Sequence, residues 1–149
     1  MKSRIHEPMR APFERVFELA SDVERWPEIL PHYRYVRSLP DPNGERRFAM
    51  GARRGPVPVR WEAIQRPKPG ERTIEFMHTG GVTRGMWVAW RFEDGGAGVL
   101  DVSIEHRLEL PWPVIGRFAA EHVIGPHFIE AIAGRTLRTI RRLAEQATR

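Results

Sequence analysis

The stretch GVLDVSIEHRLEL, residues 98–110, alternates apolar and polar side chains almost without exception. A period of two is typical of a β-strand with one buried and one exposed face. The apolar face carries one exception, because His106 occurs in register with the aliphatic residues Leu100, Val102, Ile104, Leu108 and Leu110. An imidazole on such a face indicates either a core histidine, bonded to main chain or to Gln65, or a polar group that lines a ligand cavity.

Other segments before this stretch also have strand character, and turn-forming sequences separate them. PDPNGE (40–45), RPKPGE (66–71) and EDGGAG (93–98) are typical hairpin connections. The predicted strands are residues 2–8, 33–39, 45–52, 57–66, 72–78, 83–93 and 98–110. Strands linked by hairpins in this order predict one antiparallel sheet, which is expected to twist and curve strongly.

Helical periodicity occurs at two places. APFERVFELASD (11–22) spaces its apolar residues as a helix does, and a short helical turn is predicted within VERWPEIL (23–30). Residues 114–147 are predicted to be helical with a break at Gly125–Pro126. Beyond the break, an apolar stripe contains Ile129, Ile132, Thr136, Ile140, Leu143 and Ala147. We therefore expect one α+β domain over residues 1–149, in which a curved seven-stranded sheet wraps around the last helix.

The inward phase of the strands is mostly apolar and aromatic, with a few polar residues among them. Walls of this kind are typical of small-molecule sites. The predicted ligand-binding residues are Trp61, Gln65, Phe76, His78, Arg84, Met86, Trp90, Ile104, His106 and Tyr35. Each polar one also has a structural interpretation, because His78 and Arg84 lie near strand ends and can reach solvent. If Arg84 points inward, it requires an anionic or carbonyl partner.

The N-terminal sequence resembles a known family. The pattern consists of Ala11, Pro12, Glu14, Val16, Phe17, Leu19, Asp22, Trp26 and Pro27. It is similar to the opening of the START-like (SRPBCC) superfamily, in its bacterial polyketide cyclase/dehydrase and coenzyme Q-binding branch. WVAWRFEDGGAGVLDVSIEHRLEL (87–110) resembles that branch as well. The resemblance implies a helix-grip fold, with two short helices between the first two strands and a deep hydrophobic cavity between sheet and C-terminal helix.

The resemblance leaves the activity open. Aromatase/cyclases of this family often carry a small hydroxyl residue and an arginine two and four positions beyond a tryptophan like Trp61. This sequence has Ala63 and Gln65 there, which argues against cyclase chemistry of the known kind. The remaining candidates for catalysis are His106 as acid or base and Arg84 as a carbonyl clamp.

Three functions are therefore weighed. The first is binding of a hydrophobic small molecule of lipid, quinone or polyketide/aromatic type. The second is a polyketide aromatase/cyclase or dehydratase that uses polar cavity residues. The third is a module that interacts with RNA, the ribosome or a membrane surface through the arginines of the last helix. It is placed last because the net charge of +5 arises from arginines interspersed with acidic residues.

Composition indicates where the protein is located and which cofactors and partners to expect. The sequence contains no cysteine, its first ten residues have no apolar h-region, and no apolar run approaches ~18 residues, so a cytoplasmic protein without a membrane span is expected. His122 and His127 lack the spacing of metal ligands, and the glycines at 95–98 form a turn and not a nucleotide loop. We expect no metal, no cofactor and no DNA partner, and either a monomer or a homodimer.

Overall fold

Seven strands form one curved antiparallel sheet in the computed structural model, which describes residues 2–81, 83–108 and 126–147. The strands are β1 (Lys2–Met9), β2 (Tyr33–Leu39), β3 (Arg46–Arg54), β4 (Val57–Lys68), β5 (Thr73–Gly81), β6 (Trp87–Gly96) and β7 (Val99–Arg107). Their spatial order is β1-β7-β6-β5-β4-β3-β2. From β2 to β7, strands that follow each other in sequence are also neighbours in the sheet. The first strand, β1, pairs with the last, β7. The predicted sheet is confirmed.

Within the described residues, three α-helices accompany the sheet. Helix α1 (Phe13–Ser21) and helix α2 (Trp26–Ile29) lie between β1 and β2, with a 3-10 turn at Val23–Arg25 before α2. A second 3-10 turn, Pro69–Glu71, joins β4 to β5. The last helix, α3 (Pro126–Ala147), contacts β1, α1 and β3. This arrangement confirms the predicted α+β helix-grip fold.

Helix α3 uses a wider apolar face than its sequence stripe suggests. Ile129, Thr136 and Ile140 are buried as predicted, but Leu137 and Ala144 are buried as well. The helix is therefore packed over about half of its circumference in its central turns. The predictions of helix for residues 114–125 and of a break at Gly125 lie outside the described residues.

One ion pair and two hydrogen bonds attach α3 to the edge strand β1 and the residue after it. Arg141 Nη1 contacts Glu7 Oε1 at 2.7 Å, and Ser3 Oγ donates to Glu130 Oε1 at 2.8 Å. The backbone N–H of Arg10 donates to Glu145 Oε2 at 2.9 Å. These contacts set the position of the helix along the sheet, because they join both of its halves to β1 and the residue that follows it.

The strand predicted at 83–93 begins four residues later than expected. Residues 83–85 form a turn, in which the Arg84 N–H donates to Gly81 O at 3.1 Å and the Met86 N–H donates to Thr83 O at 2.9 Å. Gly81 and Gly85 have φ values of 91° and 92°, which other residues rarely adopt. The glycines therefore extend the β5–β6 connection at the expense of the predicted strand.

No helix within the described ranges is long and apolar enough to cross a membrane.

Candidate functional site

A cavity of about 90 Å³ lies between the concave face of the sheet and α3. Strands β2 to β7 contribute to its wall, together with Trp26 from α2 and one face of α3. Among the predicted ligand-binding residues, the structure places seven in the wall, namely Trp61, Phe76, His78, Met86, Trp90, Ile104 and His106. Six of them lie on strand faces that the period-two pattern assigned to the concave side, and Met86 lies directly before β6.

Gln65 faces inward but does not line the cavity. Its side chain is 1% exposed, its Nε2 donates to Ser21 O at 2.9 Å, and its Oε1 accepts from Arg46 Nε at 2.9 Å. Both ends of the amide are therefore occupied by protein groups. Gln65 connects β4 to the end of α1 and is unavailable to a ligand or to His106.

Replacing Gln65 by methionine is expected to destabilise the protein by about 1–3 kcal/mol, because Ser21 O loses its buried donor while the side-chain volume stays similar. Urea unfolding monitored by tryptophan fluorescence measures this loss. Ligand affinity is expected to stay unchanged, since the side chain is outside the cavity. A variant that kept its stability but bound ligand more weakly would show that Gln65 belongs to the binding site.

Arg84 is also outside the cavity, contrary to its prediction as a clamp. It lies at the β5–β6 turn and is exposed. The alternation of VTRGMWVAWRF was extended across residues that are not a strand, so the inferred phase of Arg84 was wrong. The alternative interpretation, that it reaches solvent, is what the structure shows.

Tyr35 lies on the opposite face of the sheet. The pairing of β2 with β3 shifts between Tyr33 and Tyr35, which changes the phase of the strand at that point. The Tyr35 ring lies against Gly51, where any Cβ would collide with it, and Arg37 stacks on the ring at 4.7 Å. Tyr33 lines the cavity instead.

His106 reaches the cavity from β7 with an unsatisfied ring nitrogen. The residue is 5% exposed, and its Nδ1 has no hydrogen-bond partner in the part of the chain that the structure describes. Burial lowers the pKa of His106 to about 4, so the ring is neutral at pH 7. The Nδ1 atom is itself buried, and as part of a neutral imidazole it can donate or accept a hydrogen bond, according to the tautomer.

His78 faces the same cavity and is better satisfied. Its ring stacks on Trp61 with centroids 5.8 Å apart, and Nδ1 lies 2.7 Å from Thr83 Oγ1. Burial, with a smaller contribution from nearby His106, lowers the pKa of His78 to about 3. Two neutral imidazoles therefore face one apolar space.

A third polar group in the wall comes from two residues outside the predicted ligand-binding set. Tyr33 and Thr136 line the cavity, and a hydrogen bond to Thr136 joins the two side chains. Thr136 Oγ1 lies 2.8 Å from His32 Nε2 and donates to Ile132 O at 2.9 Å. Burial, followed by the charge of Arg135, lowers the pKa of His32 to about 4, and burial raises the pKa of Tyr33. The position of Thr136 in the apolar stripe was the available signal for this group.

No acidic or basic side chain other than histidine is among the described residues that form the wall, and the described ranges contain no group of three side chains suited to a metal. Apolar atoms dominate the surface, with imidazole, hydroxyl and indole groups as the polar ones. The site is chemically suited to hold an uncharged apolar molecule and to hydrogen-bond one or two polar groups on it.

The sequence matches one described protein family. A family model described as polyketide cyclase / dehydrase and lipid transport matches residues 9–123. Among curated proteins, none matches the sequence. The family match confirms the resemblance seen in the sequence.

Solved structures share the fold at low sequence identity. The protein TTHA0849 from Thermus thermophilus is 19% identical, with a TM-score of 0.80 over 100% of both chains. The ZhuI aromatase/cyclase from Streptomyces sp. R1128 is 19% identical, with a TM-score of 0.77 over 100% of this chain and 96% of the other. A START superfamily protein from Mycobacterium smegmatis is 15% identical, with a TM-score of 0.67 over 95% and 98%. Identities this low show the common fold alone.

Proposed function

Because the chain belongs to the family of polyketide cyclase/dehydrase and lipid transport proteins, we propose that it binds a small, uncharged, largely aromatic molecule between the sheet and α3. The observation that supports this proposal is the uncharged, mainly apolar wall, in which His106 Nδ1 is buried without a partner among the described residues. A buried polar atom left unsatisfied costs about 1–3 kcal/mol. A ligand hydroxyl or carbonyl that reached this nitrogen would remove the cost.

The size of the cavity favours small ligands. Its volume of about 90 Å³ is below the ~150 Å³ of an apolar cavity known to admit benzene, so even a single-ring ligand requires side chains of the wall to move. Trp26, Tyr33 and Trp90 take up much of the space between sheet and helix. A longer lipid, quinone or polyketide requires larger movements, and Met50 and Met86 are the flexible side chains in the wall.

Three probes of similar shape test the proposal, namely toluene, p-cresol and p-toluate. We expect toluene and p-cresol to raise the melting temperature and p-toluate to leave it unchanged, because none of the described wall residues offers a positive charge to pair with a carboxylate. Saturation at a hundred times the dissociation constant adds roughly 2.7 kcal/mol of stability. Differential scanning calorimetry measures the shift.

The His106→Leu variant identifies the hydrogen bond. In the parent protein, the hydroxyl of p-cresol is expected to bond His106, so p-cresol should bind more tightly than toluene. The variant is expected to bind toluene as before and p-cresol about tenfold more weakly, since one hydrogen bond is removed. Gln65→Met is the matched control outside the wall and should bind both probes as the parent does. Stabilisation by p-toluate, or by none of the three probes, would contradict the proposal.

Cyclisation or dehydration of a polyketide is the second candidate, and the pair of imidazoles facing one cavity is the observation that favours it. The low pKa values of His78 and His106 make both of them weak bases at pH 7, which limits proton abstraction. The binding function is therefore preferred. Conversion of a bound poly-β-ketone that disappears in folded His106→Leu would reverse this preference.

A further inference from the structure

The β3–β4 hairpin ends in an exposed apolar tip. Strand β3 ends at Arg54 and β4 begins at Val57, with Gly55 at a φ of 57° in open surroundings between them. Val57 is 49% exposed, and Pro56 and Pro58 beside it are exposed too. Met77 is the other large apolar side chain exposed to a comparable degree within the described residues. The hairpin thus presents apolar surface at an extremity of the fold.

Exposed arginines surround this tip. Arg53, Arg54 and Arg60 lie on the same hairpin, and Arg84 lies on the neighbouring β5–β6 turn. The two connections are adjacent, because Gly81 packs directly against the Arg60 backbone and starts the turn that holds Arg84. The sequence has no acidic residue over 46–61 or 76–92. Within these two stretches, the charged side chains that the structure describes are therefore all arginines.

The same two hairpins supply part of the cavity wall. Val59 follows the tip on β4, and Thr83 and Met86 flank Arg84, and all three line the cavity. We call the surface formed by Arg53, Arg54, Val57, Arg60 and Arg84 the basic edge. It borders the end of the cavity at which the β3–β4 and β5–β6 connections meet.

We propose that the basic edge docks on an anionic phospholipid membrane. Arginines near such a surface are attracted by its negative potential, and an apolar tip gains free energy by entering the headgroup boundary. The combination of arginines with an apolar tip favours a membrane over RNA. Both would attract the arginines, but RNA gives an aliphatic tip between prolines nothing to contact. Docking here would place the cavity against the bilayer. Docking at the basic edge requires no particular ligand in the cavity and is independent of the proposed function.

Vesicle co-sedimentation tests the proposal with the whole chain. We expect binding to mixed phosphatidylcholine/phosphatidylglycerol vesicles, weak binding to pure phosphatidylcholine, and a loss of affinity as salt increases. The double variant Arg53→Gln/Arg84→Gln should bind about thirtyfold more weakly, since each arginine near the surface contributes about a factor of five to ten. Arg138→Gln/Arg142→Gln, on the exposed side of α3, removes the same charge and should bind as the parent does.

A second variant separates a membrane from a nucleic acid. Val57→Ser is expected to weaken vesicle binding about fivefold or more, because the apolar contact is lost while the charge is unchanged. Its counterpart is Met77→Ser, which should have no effect. Equal binding to neutral and anionic vesicles, or vesicle binding insensitive to Val57→Ser together with tighter binding to RNA, would overturn the proposal. Toluene should stabilise Arg53→Gln/Arg84→Gln as it stabilises the parent. This measurement separates a loss of membrane docking from a loss of ligand binding in the cavity.

Discussion

Trp26→Ala is expected to destabilise the protein by about 3–5 kcal/mol, a large part of the roughly 5–15 kcal/mol typical of a domain. Trp26 is 3% exposed, and its ring centroid lies 5.0 Å from that of Tyr33 and 6.2 Å from that of Trp90. Its Nε1 donates to Leu19 O at 3.0 Å, which joins α2 to α1. The substitution removes a ring from the cavity wall and leaves Leu19 O without this donor.

Urea unfolding with circular dichroism measures the effect as a lower midpoint at an unchanged slope. Trp87→Ala is the matched control, because Trp87 lies half-buried on the outer face of the sheet, where Arg107 and Arg91 stack on it at 5.1 and 5.8 Å. An exposed cation–π contact contributes roughly 0.5–1 kcal/mol, so the control should lose far less. Equal losses in the two variants would show that Trp26 does not have the central packing role assigned to it.

Acidification from pH 6.5 to pH 4 is expected to lower the free energy of unfolding by several kcal/mol. Burial lowers the pKa values of His78 and His106 from 6.5 to about 3 and about 4. In this pH window the unfolded chain binds protons that the folded chain does not, so stability falls as pH falls. Well above pH 6.5 both states hold neutral histidines, and this contribution to the pH dependence vanishes.

Unfolding curves at several pH values give the free energy of unfolding as a function of pH. Comparing this curve between the parent and a histidine variant shows the contribution of that histidine. Lowering a pKa from 6.5 to about 4 corresponds to about 3 kcal/mol, so His106→Gln should flatten the curve by about that amount. A His106→Gln slope equal to that of the parent would mean that the ring is solvated and charges freely in the folded state.

The strand faces were largely predictable because side-chain alternation follows from covalent geometry. Trp61, Phe76, Ile104 and His106 were assigned to the concave side from their neighbours in sequence alone, and they line the cavity. Tyr35 shows where this reasoning ends. A one-residue shift in the pairing of β2 with β3 reverses the phase after Tyr33, and pairing with another strand leaves no mark in the local pattern.

Polar inward residues were less predictable than apolar ones. Gln65 has the right phase, but its amide is occupied by Ser21 O and Arg46 Nε, from segments distant in the chain. Arg84 was assigned by extending an alternation through glycines that the fold uses for a turn. For Gln65 a contact with distant segments determined the outcome, whereas for Arg84 the local turn was missed and its phase was wrong.

By itself the sequence determined the class of fold, the order of the strands and which face of most strands is apolar, because hydrophobic periodicity and turn chemistry act over a few residues. Only the tertiary structure decided how much space remains inside, which polar atoms are left unsatisfied, and which arginines share a surface. These properties depend on distances between segments that are far apart in sequence: Trp26 on α2 against Trp90 on β6, His106 beside His78, and Arg84 beside the β3–β4 hairpin. Packing at close range sets such distances, and alternation along one strand carries no information about them.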